Sequence, residues 1–120
     1  MARAIREARA RKPILASVNS QAASAAYWLA SQATSVSITP GGAVGSIGIF
    51  MLHADMSRAL DQAAVTMTLI AAGEGKTYGN PYEPLADGAR AQMTARVNQI
   101  YDQFVGDVAR GRNSRKLATR

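Results

Sequence analysis

Ile14-Leu15-Ala16-Ser17-Val18 runs through Asn19-Ser20 into Gln21-Ala22-Ala23-Ser24-Ala25-Ala26-Tyr27-Trp28. The first five residues are an apolar, β-prone run, and the last are small or aromatic residues compatible with a helix. This predicts a strand over 14–18, a turn at Asn19-Ser20 and a helix from about Ser24 to Gln32. Ser24 then carries its hydroxyl among small neighbours where the chain turns into that helix. Such a position suits a nucleophile. Small side chains let a substrate carbonyl approach closely, and the first backbone N–H groups of the helix can face a developing oxyanion. The same residues also read as a small-residue helix packed on a neighbour, so the rest of the chain has to decide.

Working outward, residues 2–11 are rich in Ala and Arg and predict a short helix that Pro13 stops. Ser35-Val36-Ser37-Ile38-Thr39 alternates and is closed by Pro40-Gly41-Gly42, the pattern of a strand ending in a turn. Ile47 to Leu52 is a continuous apolar run, as in a strand buried on both faces. Asp55 is placed to cap a helix over about 56–64, with Met56, Leu60 and Ala63 or Ala64 facing inward. Residues 65–71 predict another strand, and Gly73 to Pro84 a loop. Met93, Val97, Ile100, Phe104 and Val108 recur at steps of four and three, so an amphipathic helix is expected from about Asp87 to Arg110, stopping near Gly111. Residues 113–120 lack periodicity and read as a disordered basic tail. The order is that of an α/β domain with a largely parallel sheet.

Composition narrows the functions. The 120 residues suffice for one domain at most. There is no cysteine, hence no disulfide framework and no thiolate chemistry, and one His with scattered carboxylates is poor material for a metal site. No cofactor or metal is expected. No apolar run approaches the ~20 residues of a membrane span, and no apolar segment follows the N-terminal charges as in a secretory signal. These features predict a cytoplasmic chain without a membrane segment. The net charge of +6 gathers at both ends, in Arg3, Arg6, Arg9, Arg11 and Lys12 and in Arg110, Arg112, Arg115, Lys116 and Arg120. No aromatic interleaving or recognition motif accompanies it, so a solvated face is expected rather than a nucleic-acid site.

Ser24, the run Ala43-Val44-Gly45-Ser46-Ile47-Gly48 and the segment Gly73-Glu74-Gly75-Lys76 through Asn80-Pro81-Tyr82-Glu83-Pro84-Leu85 follow one another in that order. From about Lys12 to Arg112 the chain resembles the signal peptide peptidase A family of serine peptidases, of the ClpP/crotonase fold. Its phage-type members, the minor capsid protein C or head maturation proteases, are the nearest in pattern. The resemblance implies a crotonase-type spiral of ββα units with further strands before Pro13. Residues 1–112 are therefore expected to form the second half of a peptidase domain, ending in the long helix.

A serine hydroxyl needs a base. The resemblance points to Lys76, as the lysine of a Ser–Lys dyad, and to Ser46 as the residue that orients its amine. A lysine can serve only when neutral, which requires a dry setting or a neighbouring cation that brings its pKa from about 10.4 towards roughly 7–8. The Ala25 N–H is the expected oxyanion donor. The resemblance places a second donor in a glycine-rich turn upstream, which nothing before Pro13 matches, and Ala25-Ala26 stands where Gly-Gly is usual. Gly45, Ile47, Gly48 and Ile49 correspond to the edge along which an extended peptide pairs by strand addition.

His53 is the rival base, with Asp55 in reach to orient it as in Ser–His–Asp enzymes; it also reads as a helix-entry or surface residue. Three functions follow: a serine endopeptidase acting on extended peptides, from phage scaffold or capsid protein to signal-peptide remnants; a non-catalytic relative serving assembly or interaction; and, with least support, an acyl-CoA enzyme. The resemblance also implies a homo-oligomer.

Overall fold

The computed structural model describes residues 1–112; the predicted tail at 113–120 lies outside the described residues. The chain divides into two compact units, one of Met1–Ile49 together with the chain from Gln99 onward, the other of Phe50–Asn98.

The first unit opens with helix α1 (Ala2–Ala8), where an exposed Arg3–Glu7 pair at 3.4 Å adds little. Strands β1 (Leu15–Val18) and β2 (Gln21–Ala23) follow, separated by Asn19-Ser20. Helix α2 (Ala25–Ala30) then leads to β3 (Ser35–Ile38) and β4 (Ala43–Gly45). Both strand pairs are parallel: Leu15 to Val18 faces Ser35 to Ile38, and Gln21 to Ala23 faces Ala43 to Gly45. Further backbone bonds link the two ladders, Thr39 N–H to Val18 O at 3.1 Å and Ala43 N–H to Ser20 O at 2.9 Å, and the Thr39 hydroxyl donates to Asn19 O. The turn at Asn19-Ser20 therefore bends one continuous pairing rather than ending it. The mixed α/β class and the parallel pairing are as expected. β2 and β4 escaped sequence reading because three residues are too few to show a period.

The last helix, α4, runs Asp87–Arg112, and its C-terminal turns belong to the first unit. There the predicted stripe is realised. Phe104 is fully buried and Val108 nearly so, beside Val18, Ala22 and Ala33. The end of the helix at Arg112 falls one residue past Gly111, close to the expected stop. A Cβ at Gly111 would sit 2.3 Å from the Ser31 carbonyl oxygen, so glycine also permits a close approach of two backbones there.

A polar network ties α1, α2 and α4 together. The Trp28 ring stacks on Phe104 with centroids 4.6 Å apart, and its indole Nε1–H donates to Asp107 Oδ2 at 2.9 Å. Asp107 Oδ1 accepts from Arg6 at 2.9 Å and Arg110 at 2.8 Å. Fully buried Gln32 accepts from Arg6 at 2.8 Å and donates to the Asp107 carbonyl at 2.9 Å. Arg9 crosses to the carbonyls of Gln32, Ala33 and Gly111. Every buried polar side-chain atom among the described residues has a partner. A network so complete avoids the cost of a stranded group.

In the second unit, α3 (Ser57–Gln62) is shorter than predicted. The Asp55 carboxylate accepts the Ser57 N–H at 2.9 Å, as a capping residue should, although the residue at the cap position is Met56. The inward face expected of this helix is only half realised: Leu60 is half-buried, whereas Met56, Ala63 and Ala64 are exposed. The predicted strands at 47–52 and 65–71 do not form. Neither segment has a ladder neighbour among the described residues. An apolar run is permissive for a strand, but only an adjacent backbone makes one. Phe50 and Ile70 are accordingly 87% and 95% exposed. Residues 73–79 form turns, as predicted.

Burial of the Asp107 carboxylate acts to raise its pKa, but bonds from Arg110, Arg6 and Trp28 outweigh it and hold it below the ordinary carboxylate range. A lowered folded-state pKa stabilises above the unfolded value near 3.9 and is lost as pH falls through the folded one. Urea unfolding followed by Trp28 fluorescence is therefore expected to show stability falling below about pH 4. Asp107→Asn should cost about 1.5–3 kcal/mol at pH 7 and flatten that acid dependence. An unchanged midpoint and slope would show that the network does not hold α2.

Candidate active site

Ser24 stands between β2 and α2 with φ 52° and ψ −123°. A side chain at positive φ with this ψ is far from the ordinary regions and costs of order 1–3 kcal/mol, so surrounding structure has to impose it. Two bonds do so. The Ser24 N–H donates to Gly45 O at 2.8 Å, extending the β2–β4 ladder by one bond, and the Ser24 carbonyl accepts the Trp28 N–H at 2.9 Å as the first turn of α2. The chain thus leaves a ladder and enters a helix within one residue. Ser24 is exposed, as a nucleophile must be, and Ala25 beside it is exposed too. The network around Trp28 fixes the helix that follows.

Gly45 ends β4 at φ 123°, and Ser46 follows at φ 55°, a second non-glycine residue in the left-handed region. The Ser24–Gly45 bond brings the serine and the Gly45-Ser46 turn together in the first unit. Ser46 is exposed, Ile47 and Ile49 are half-buried, and Gly48 is exposed. Residues 46–50 lie in neither helix nor strand, which leaves their backbone without ladder partners.

Lys76 belongs to the second unit, on a succession of turns. Its N–H donates to Gly73 O at 3.3 Å, and Tyr78 N–H donates to Gly75 O at 3.1 Å. Gly75 adopts φ 70°, where a side chain would also press against the Tyr78 ring at 3.2 Å. Lys76 itself is exposed. The loop closes on Asn80, whose side chain donates to Thr77 O at 2.9 Å and Glu83 at 2.7 Å and accepts the Tyr82 N–H at 2.9 Å.

His53 is tied into this loop. Its Nε2 lies 2.8 Å from the Asn80 carbonyl oxygen, an acceptor only, so Nε2 carries the proton and donates. Asp55, needed to orient the imidazole in a Ser–His–Asp arrangement, bonds the Ser57 N–H and has its pKa lowered chiefly by Ser57. The rival base thus has a structural occupation.

Sequence reading missed two features of this site. The backbone angle of Ser24 leaves no trace in composition, because the residue is not glycine. Asp107 belongs to no motif and no apolar period that would mark it as a buried acceptor. The one signal for it was Trp28, whose indole N–H needs an acceptor when packed.

A model of the family described as peptidase family S49 matches residues 6–120. The chain is 36% identical over 98 residues to the capsid assembly protease C of Escherichia phage lambda, covering 82% of this chain and 22% of that protein. It is 38% identical over 101 residues to the head-tail preconnector protein GP5 of Enterobacteria phage P21, covering 84% and 20%. Protease 4 of Haemophilus influenzae is 27% identical over 105 residues, covering 88% and 17%. The chain spans about a fifth of the length of these relatives.

If the ladder and α2 hold Ser24 in a strained backbone, glycine should relax it. Ser24→Gly is expected to raise stability by about 1 kcal/mol or more in urea unfolding, since glycine adopts positive φ freely. A loss of stability would show that the angle is not imposed on the serine.

Proposed function

The chain belongs to peptidase family S49, and from that premise we propose that it is a serine endopeptidase segment whose nucleophile is Ser24. The observation that carries the reading is the Ser24 backbone, held at φ 52° and ψ −123° by Gly45 O at the entrance to α2. Strain of this kind accumulates at functional residues and is a known device for exposing a nucleophile.

In the proposed mechanism the Ser24 hydroxyl attacks the scissile carbonyl while the Lys76 amine takes its proton. The Ala25 N–H steadies the oxyanion of the tetrahedral intermediate. Lys76 returns the proton to the leaving amine, and water hydrolyses the acyl-Ser24 ester by the reverse sequence. Ser46 orients the lysine amine. Lys76 is exposed within its own unit, so the desolvation that keeps a lysine neutral has to come from whatever covers this loop in the working enzyme. The substrate is an extended peptide pairing along Gly45, Ile47, Gly48 and Ile49; Gly45 ends the β2–β4 ladder, and beyond it Ile47, Gly48 and Ile49 have no ladder partner among the described residues.

The parallel ladders β1–β3 and β2–β4 are read as part of a spiral of ββα units, with residues 1–112 a portion of a peptidase domain. The names of the phage relatives, a capsid assembly protease and a head-tail preconnector protein, support a role in processing or assembling phage head proteins. Among the described residues no helix is long and apolar enough to cross a membrane. A second reading, a non-catalytic protein of assembly, has one observation in its favour. The apolar segments around Phe50, Leu52 and Ile70 are exposed and have no ladder neighbours among the described residues, a surface suited to other chains.

Hydrolysis of unstructured peptides by the purified chain separates the two. Under the peptidase reading, Ser24→Ala and Lys76→Ala each lower kcat/KM by about 10³-fold or more, and the double variant is no worse than either. A folded chain that cleaves nothing, or variants that cleave as the parent does, would give the assembly reading the lead.

A further inference from the structure

Beside Ala25 the first unit contains an open cavity of about 500 Å³. Its lining includes the apolar side chains Trp28 and Leu29 of α2 and three arginines, Arg3, Arg6 and Arg110. Asp107 is the only carboxylate lining it. Its two oxygens already accept from Trp28, Arg6 and Arg110, so one carboxylate is shared between two arginines and does not cancel their charge. Arg3 pairs with the exposed Glu7 at 3.4 Å, a contact that competes weakly. Three cations against two anions leave a positive surplus beside apolar side chains, one residue from the Ser24 hydroxyl.

We propose that this cavity is a subsite for an acidic side chain, glutamate or aspartate, of the peptide substrate. The methylene stem would lie on Trp28 and Leu29. The carboxylate would take N–H donors that Arg110 and Arg3 still hold free, in the planar geometry that guanidinium groups offer to carboxylates. Because Ala25 lines the cavity and follows the nucleophile, the acidic residue sits next to the scissile bond. The proposal rests on the peptidase reading for its role in specificity, but binding can be measured without catalysis.

Trp28 is the only tryptophan in the chain, so its fluorescence reports on the cavity directly. Two peptides differing only in one Glu or Gln are titrated onto the Ser24→Ala chain, which removes the proposed nucleophile. The Glu peptide should bind about two- to fivefold more tightly at low salt, the advantage closing near 1 M salt. Gln103→Glu and Arg3→Glu place negative charge at the cavity without touching the Asp107 network, and each should abolish the preference. Equal binding of the two peptides overturns the proposal, as does displacement of the Glu peptide by millimolar inorganic phosphate, which would mark an unspecific anion site. Failure of the peptidase reading looks different: neither peptide is cleaved by the parent chain while the Trp28 signal persists.

Discussion

The carboxylate of Asp107 is the point on which the first unit depends. It lies almost fully buried and accepts three charged or polar donors from three helices, Arg6 of α1, Trp28 of α2 and Arg110 of its own helix. Remove it, and a largely buried arginine and an indole N–H lose their acceptor together. The Trp28–Phe104 stack and the bond from Gln32 to the Asp107 backbone carbonyl would remain, but α2 would lose its one side-chain bond from Trp28 to α4. That bond matters because α2 begins immediately after Ser24. Stability and site geometry are thus set by one side chain on a distant part of the sequence.

Ser24 shows what this rigidity is for. A helix of six residues has little stability of its own, and a non-glycine residue at positive φ would ordinarily relax. Here the ladder bond to Gly45 holds one side of the residue, and the clamped helix holds the other. Neither constraint alone sets both dihedral angles. The proposed nucleophile is therefore a product of packing some eighty residues away in the chain, not of its immediate neighbours. The same clamp arranges Arg6 and Arg110 around the cavity beside Ala25, so the structural and binding uses of these arginines share one cause.

Much of this was legible in the sequence where a period or a motif spoke. Phe104 and Val108 follow a helical stripe and are buried as it demands, and 15–18 and 35–38 pair as strands because alternation and turn residues bound them. The run 47–52 misled because apolar composition states that a backbone should be covered, not by what; without an adjacent strand it stays unpaired. Gly111 marked the helix end to within one residue, but its close approach to the Ser31 carbonyl is a second role that only the tertiary structure displays. The site motifs around Ser24, Ser46 and Lys76 were read as a family pattern, and the family assignment followed. The strained Ser24 angle left no sequence trace, and the Asp107 acceptor only the indirect one of Trp28, because both are consequences of long-range packing.

The central claim is that Ser24 is an activated nucleophile, presented by its backbone. Fluorophosphonate acylation of the parent chain, followed by proteolytic mapping of the adduct by mass spectrometry, tests it most directly. The account predicts a single adduct on the peptide containing Ser24, with Ser17, Ser20 and Ser46 unmodified. A folded chain that takes up no reagent, or an adduct on another serine, would contradict it.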